Sequence, residues 1–263
     1  MRRVLAALMA SVMAPVILGA NAAPAAAVPS CAGAVEIGKA RIMRVERNGV
    51  LVMTDGRALH LEGIRLPTEL HSAPQAMADE ALAALNTLAK GQLLDARAVY
   101  PKEDRYDRVR AQVFAPDGTW LQIEMLKRGL ARVDIAPDRG ECYRQLYDAE
   151  AEARRAGLGL WALPEYAVRT PDTIGGKVGS FQVVMGWVRS AAMKDGRLYL
   201  NFGPDWRTDF TATISPEDMK TFRRMGVNPL LYQGRLIRMR GIVQSYHGPE
   251  IDIGNPKQIE LLE

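Results

Sequence analysis

Between residues 35 and 65, three short runs rich in Val, Ile and Leu are broken by Asn48-Gly49 and Asp55-Gly56. Asn-Gly and Asp-Gly pairs accept the left-handed backbone of a tight reversal, so the runs read as successive antiparallel strands at 35–46, 49–55 and 58–65. A chain that opens this way is committed to a locally paired sheet, which excludes an all-helical bundle. The period then changes. Ala78, Ala81, Leu82, Leu85, Leu88 and Ala89 recur at helical spacing; Pro74 suits the first turn and Gly91 the stop. Further strands are expected at 92–100 and 108–114 and a turn at Asp117-Gly118. A short helix follows over 119–128, ended by Gly129, and a longer one over about 139–156, ended by Gly157.

A Pro- and Gly-rich connection, 164–179, leads to a second unit at 180–263. There, strands are expected at 180–189, 197–203, 207–214, 234–244 and 249–253. Ser215 and Pro216 open a helix that Gly226 closes. Five short strands and one helix predict a small closed barrel of the OB type. Both units share an order of three strands, a helix and a strand, without a residue-level repeat.

The first 27 residues read as an address. Arg2 and Arg3 precede an apolar run from Val4 to Leu18, and small residues follow to Ala27, the pattern of a secretory signal peptide. The run is shorter than the roughly 20 apolar residues of a membrane span. Cleavage after Ala22 and cleavage after Ala27 both fit, and no stable membrane insertion is expected afterwards. An exported chain, periplasmic or secreted, sits in an oxidising compartment, where Cys31 and Cys142 would form one disulfide; the alternative is two free thiols.

Charge adds little. The chain carries 34 cationic and 30 anionic side chains, and loss of Arg2 and Arg3 leaves it nearly balanced. Aromatic residues make up only 6%, too few for a surface built mainly of stacking platforms. His60, His71 and His247 have no zinc spacing with the two cysteines.

Four segments carry a resemblance: DGRALHLEGIRLP at 55–67, DRYDRVRAQVF at 104–114, LQIEMLKRGLARV at 121–133 and YDAEAEARRAGLGLW at 147–161. In this order, over residues 40–162, they resemble the thermonuclease (staphylococcal nuclease-like) family. The resemblance implies an OB-type five-stranded barrel with packed helices, here extending over 28–163. It also implies calcium-dependent phosphodiester hydrolysis, in which carboxylates hold the metal, a glutamate activates water and two arginines stabilise the phosphate.

Carried over residue by residue, the resemblance loses its chemistry. The first arginine position is His60, the metal-binding aspartate is Arg65, the general-base glutamate is Thr68, and the second aspartate of the family's DGDT falls at Gly49. Arg108 and its neighbour Tyr106 remain. A guanidinium near a cation is repelled by about 4 kcal/mol per unit charge product at 4 Å and an effective dielectric of 20, so calcium should be expelled. The expectation is therefore a non-catalytic domain without a cofactor, whose cleft binds nucleic acid or another phosphate-bearing ligand through His60, Arg65, Tyr106 and Arg108. Against it stands plain pairing of Arg65 and Arg108 with Glu62, Glu69 or Asp107. Glu69 or Glu62 could serve as a substitute base in a remodelled secreted nuclease, the alternative that would restore calcium.

In the second unit, LYLNFGPDWRTDFTATI at 198–214, with GRLIRMRGIV and GPEIDI after it, is similar to accessory OB-type modules of extracellular bacterial nucleases. Trp206, Arg207, Tyr199 and Arg235 are candidates for a nucleic-acid platform, with Arg238 and Arg240 sharing one strand face as the stronger pair. Core filling by the aromatics is the competing reading. A protein-interaction scaffold in the cell envelope is the third function that remains open.

Overall fold

The computed structural model describes residues 27–39, 41–67 and 74–263. Residues 1–26, on which the expected signal peptide falls, and Thr68, Glu69 and His71 lie outside the described residues. The protein is mostly β, with four α-helices and two large sheets among the described residues.

The first sheet has six strands: β1 (Val35–Glu36), β2 (Ile42–Val45), β3 (Leu51–Met53), β4 (Ala58–Leu61), β6 (Asp95–Ala98) and β7 (Val109–Phe114), in the order β1-β6-β7-β4-β3-β2. A separate two-stranded ladder joins β5 (Ile64–Arg65) to β8 (Arg132–Val133). Strands β2, β3 and β4 form the antiparallel meander that the turn signals demand. Helix α1 (Gln75–Ala89) then carries the chain across, and β7 returns parallel to β4. Helices α2 (Leu121–Lys127) and α3 (Tyr143–Ala156) pack on one another and close the core around Leu59, Leu85, Val113, Met125 and Leu146.

Gly129 shows why α2 must end where it does. Its φ is +69°, and a Cβ there would lie 2.2 Å from the Leu158 carbonyl oxygen. The Leu160 amide donates to the Gly129 carbonyl at 2.8 Å, so the two backbones touch with no room for a side chain.

The second sheet has seven strands: β9 (Phe181–Trp187), β10 (Ser190–Lys194), β11 (Arg197–Asn201), β12 (Thr211–Ile214), β13 (Leu236–Ser245), β14 (Pro249–Asp252) and β15 (Ile259–Leu261). It repeats the first in its pairing. An antiparallel meander β10-β11-β12 is followed by helix α4 (Asp218–Arg224), and β14 runs parallel to β12 while pairing antiparallel with β13. Its core holds Val184, Phe210, Phe222, Ile237 and Ile251. The short strands β10 and β15 were not anticipated: β10 is partly exposed and β15 is a three-residue addition beside β13, so neither has a strong apolar run.

The units pack through polar contacts. Arg132 lies between the rings of Tyr166 and Phe181, at 4.8 and 4.9 Å, and donates to the Phe181 carbonyl. Tyr147 Oη donates to the Lys257 carbonyl at 2.6 Å, and Asn255 Nδ2 to the Arg139 carbonyl at 2.6 Å. Cys31 and Cys142 are joined in a disulfide, tying the segment before β1 to the start of α3.

Here the strand-face expectation for the second unit is corrected. Arg240 is fully buried and binds Glu150 of α3 and Glu260 of β15, and Arg238 pairs with Glu260 at 3.1 Å. The two do share a strand face, but that face is turned to the first unit, and a guanidinium sealed between carboxylates has no access to a phosphate. Alternation correctly groups side chains on a face without saying what covers it.

Candidate functional site

Strand alternation builds the cleft. Leu59 and Leu61 of β4 point into the core, which turns His60 and Glu62 the other way; Val109 and Ala111 of β7 do the same for Arg108 and Arg110. Because β4 and β7 are parallel neighbours, with His60 opposite Arg110, the four side chains share one side of the sheet. Arg65 of β5, Asp134 and Asp138 form a second wall, and Phe181, Ile242 and Gln244 of the second unit complete it. The resulting cleft, about 710 Å³, lies at the junction of the units.

Its arginines are engaged. Arg65 Nε and Nη2 lie 2.8 and 2.7 Å from Asp134 Oδ2, and the guanidinium sits 5.0 Å over the Phe181 ring. Arg108 Nε donates to Asp104 Oδ2 at 2.7 Å. Arg110 grips Asp138 with both Nη atoms, at 2.9 and 2.6 Å. Arg65 and Arg108 are thus paired with Asp134 and Asp104; of the partners expected for them, Glu69 lies outside the described residues. Asp134 lies 69 residues from Arg65, so no local signal marks it. Asp104 sits four residues before Arg108 in an open turn, where it also accepts the amides of Tyr106 and Arg108. Burial pushes the Asp104 carboxyl up, but the Arg108 side chain and the two amides outweigh it and hold its pKa below the usual range.

Tyr106 stands at the rim, 60% exposed, with the guanidinium carbons of Arg105 and Arg108 at 4.8 and 5.1 Å from its ring centroid. His60 and Glu62 lie deeper. Burial, with Arg108 nearby, lowers His60 to about 4, so its imidazole is neutral at pH 7. Burial raises Glu62 to about 7, opposed by Arg139 and assisted by Glu141. Glu62 faces Arg110 Nε at 4.0 Å, too far for a hydrogen bond, and that Nε has no hydrogen-bond partner among the described residues.

The geometry places four of the six expected binding residues, His60, Arg65, Tyr106 and Arg108, around one cleft, and leaves Arg238 and Arg240 in the junction between the units. Residues 58–163 match the staphylococcal nuclease homologue family. No curated protein matches the chain. The match covers the four blocks except for the first three residues of the opening one, and it takes in β4, β5, β7 and β8, the first unit's share of the cleft.

Calcium, which the staphylococcal nuclease resemblance implies, does not fit the residues present. Among the described residues no three His, Cys, Asp or Glu side chains are grouped to hold a metal ion. Arg65 carries a fixed charge, paired with Asp134, on the wall of the cleft, where a calcium ion would need oxygen ligands. What this staphylococcal nuclease-like cleft offers instead is a neutral imidazole, a carboxyl that titrates near neutrality and guanidiniums locked in orientation by carboxylates.

Proposed function

We propose that this is an exported, non-catalytic nuclease-like protein that binds nucleic acid or another phosphate-bearing ligand in the cleft. On this reading, residues 28–163 form an OB-type five-stranded barrel of the thermonuclease kind. Residues 180–263 form a second OB-like barrel, and 164–179 link them. The repeated meander, helix and parallel return supports that architecture. The disulfide is compatible with export, and no helix among the described residues is long and apolar enough to cross a membrane.

One observation carries the functional reading: Arg65, held by Asp134, stands where hydrolysis would need an acidic metal ligand, while Arg108 and Tyr106 keep the means to hold a phosphate and a base. Arg108 uses Nε and Nη2 on Asp104, which fixes its fork and leaves Nη1 for an incoming oxygen. Calorimetry with short oligonucleotides in low salt should give binding that Arg108→Ala weakens at least about tenfold, the size of one charge-assisted contact. Plasmid incubated with calcium should stay intact. Absence of binding, or calcium-dependent cutting, would overturn the reading.

Glu62 favours a second reading, metal-independent hydrolysis with Glu62 as proton acceptor, because a carboxyl near pKa 7 inside a cleft suits general-base work. Cutting that persists in chelator and is lost in Glu62→Gln would select it.

A further inference from the structure

The second unit carries an aromatic cluster that the cleft does not use. Trp206 is 55% exposed and Tyr246 67% exposed. The ring of His247 contacts both, edge-on, with centroids 6.4 Å from Trp206 and 4.6 Å from Tyr246. The Arg207 guanidinium lies 4.8 Å over the Trp206 ring and is largely in solvent.

These rings sit on rigid supports. In the 202–210 loop the Asp205 amide donates to Asp209 Oδ2 at 2.8 Å, and the Arg207 amide to Asp205 Oδ1 at 3.0 Å. At the tip of the β13–β14 hairpin, Gly248 has φ +110°, and a Cβ there would lie 2.9 Å from the Thr208 carbonyl. The two loops are thus packed backbone to backbone, and the rings are held outward rather than left to fold onto the core. Phe202 and Phe210, from the same stretch of sequence, do fill that core.

One strand joins the cluster to the cleft. Ile242 and Gln244 of β13 line the cleft and are exposed, while Val243 between them is buried. β13 ends at Ser245, and Tyr246 follows directly in the bend of the hairpin, within about 13 Å of Ile242 by strand rise.

We propose that Trp206 and Tyr246, with His247 touching both and Arg207 beside Trp206, form a base-stacking subsite for single-stranded nucleic acid, reached from the cleft along the outer face of β13. The chemistry selects the ligand. Exposed rings offer flat π faces, and a guanidinium over one of them supplies the cation for a neighbouring phosphate. A duplex hides its base faces, so only an open strand can stack there. The subsite rests on the phosphate-binding reading of the cleft, because that cleft anchors the strand the platform extends.

The test uses the full mature chain and labelled oligothymidylates of about 4 and about 16 nucleotides, the span covered by single OB-type sites. Fluorescence anisotropy should show the longer strand binding more tightly. Trp206→Ala with Tyr246→Ala should cost the longer strand more than about tenfold and leave the shorter one unchanged, since each stacked base contributes at least about fivefold. Trp206→Phe with Tyr246→Phe should restore binding to within about threefold, which separates lost stacking from lost folding. Equal affinity for both lengths, unaffected by the alanine pair, overturns the subsite and leaves the cleft reading intact. No binding at either length overturns both. Duplex binding as tight as single-strand binding, or a neutral oligosaccharide displacing the strand from the platform, also overturns the subsite.

Discussion

Arg240 Nη1 lies 3.0 and 2.9 Å from the two carboxylate oxygens of Glu150, across the junction of the two units, and neither side chain is exposed. Glu150 also accepts the Val133 amide at 2.7 Å, Arg240 Nη2 reaches Glu260 at 2.7 Å, and the guanidinium lies 4.3 Å over the Tyr147 ring. This cluster fixes the second unit against α3, and so fixes the wall that Ile242 and Gln244 contribute to the cleft.

Removing one member should therefore be costly. Glu150→Gln leaves the buried Arg240 guanidinium with Glu260 as its one carboxylate and is expected to destabilise the protein by about 3 kcal/mol in urea unfolding. Replacing both partners, Arg240→Met with Glu150→Leu, should cost less than the sum of the single changes, because the buried guanidinium goes with its carboxylate, although the Val133 amide and Arg154 still lose Glu150. Single variants within about 0.5 kcal/mol of wild type would mean that the pair does not hold the units together.

The cleft should show opposed titrations. Glu62, raised from 4.5 to about 7, binds its proton more tightly when folded, so its contribution is full below pH 4.5 and is lost as pH rises to about 7. Arg110, Arg139, Glu141 and Asp138 face it, and burial dominates them. His60, lowered from 6.5 to about 4, is disfavoured as a cation, so stability is lost as pH falls from 6.5 to about 4. Between about pH 4.5 and 6.5 the two slopes cancel. Glu62→Gln should expose a rise of about 1.4 kcal/mol per pH unit with increasing pH, and His60→Gln a fall of similar size. Urea unfolding across this range checks both; parallel profiles in the two variants would exclude the opposition.

The disulfide closes a loop with a sequence separation of 111 residues. On the chain-entropy account, Cys31→Ser with Cys142→Ser should cost about 4–5 kcal/mol. The same loss should appear in wild type unfolded under reducing conditions, which makes the reduced protein the control.

Gly129→Ala places a methyl group against the Leu158 carbonyl in a left-handed backbone. A loss of more than about 2 kcal/mol is expected, far above the roughly 0.4–1 kcal/mol gain of a Gly→Ala change at a site that accepts Ala. Thermal unfolding checks it, with Gly91→Ala, which shares the left-handed backbone at φ +77° but has open space around it, as the comparison that isolates the clash.

Much of the fold was legible because its signals are local. Asn48-Gly49 and Asp55-Gly56 announced the first meander, and the helix through Ala81 and Leu85 ended before Gly91 as its period required. Phe210 and Phe202 joined the core while Trp206 stayed outside, a division that composition alone does not make. Asp134, the partner of Arg65, was invisible because the β5–β8 pairing that brings it near involves segments nearly seventy residues apart.

The sequence by itself determined most of the elements and the nuclease-like blocks, since each of these depends on residue type and short spacing. Only the tertiary structure decided which charges remain available. Arg238 and Arg240 look like Arg108 in a linear chain, yet Arg240 is sealed between Glu150 and Glu260 and Arg238 is half-buried on Glu260, while Arg108 stays at the rim of the cleft. The physical reason is that a charge's availability is set by what is packed against it, and packing joins residues that sequence spacing keeps apart.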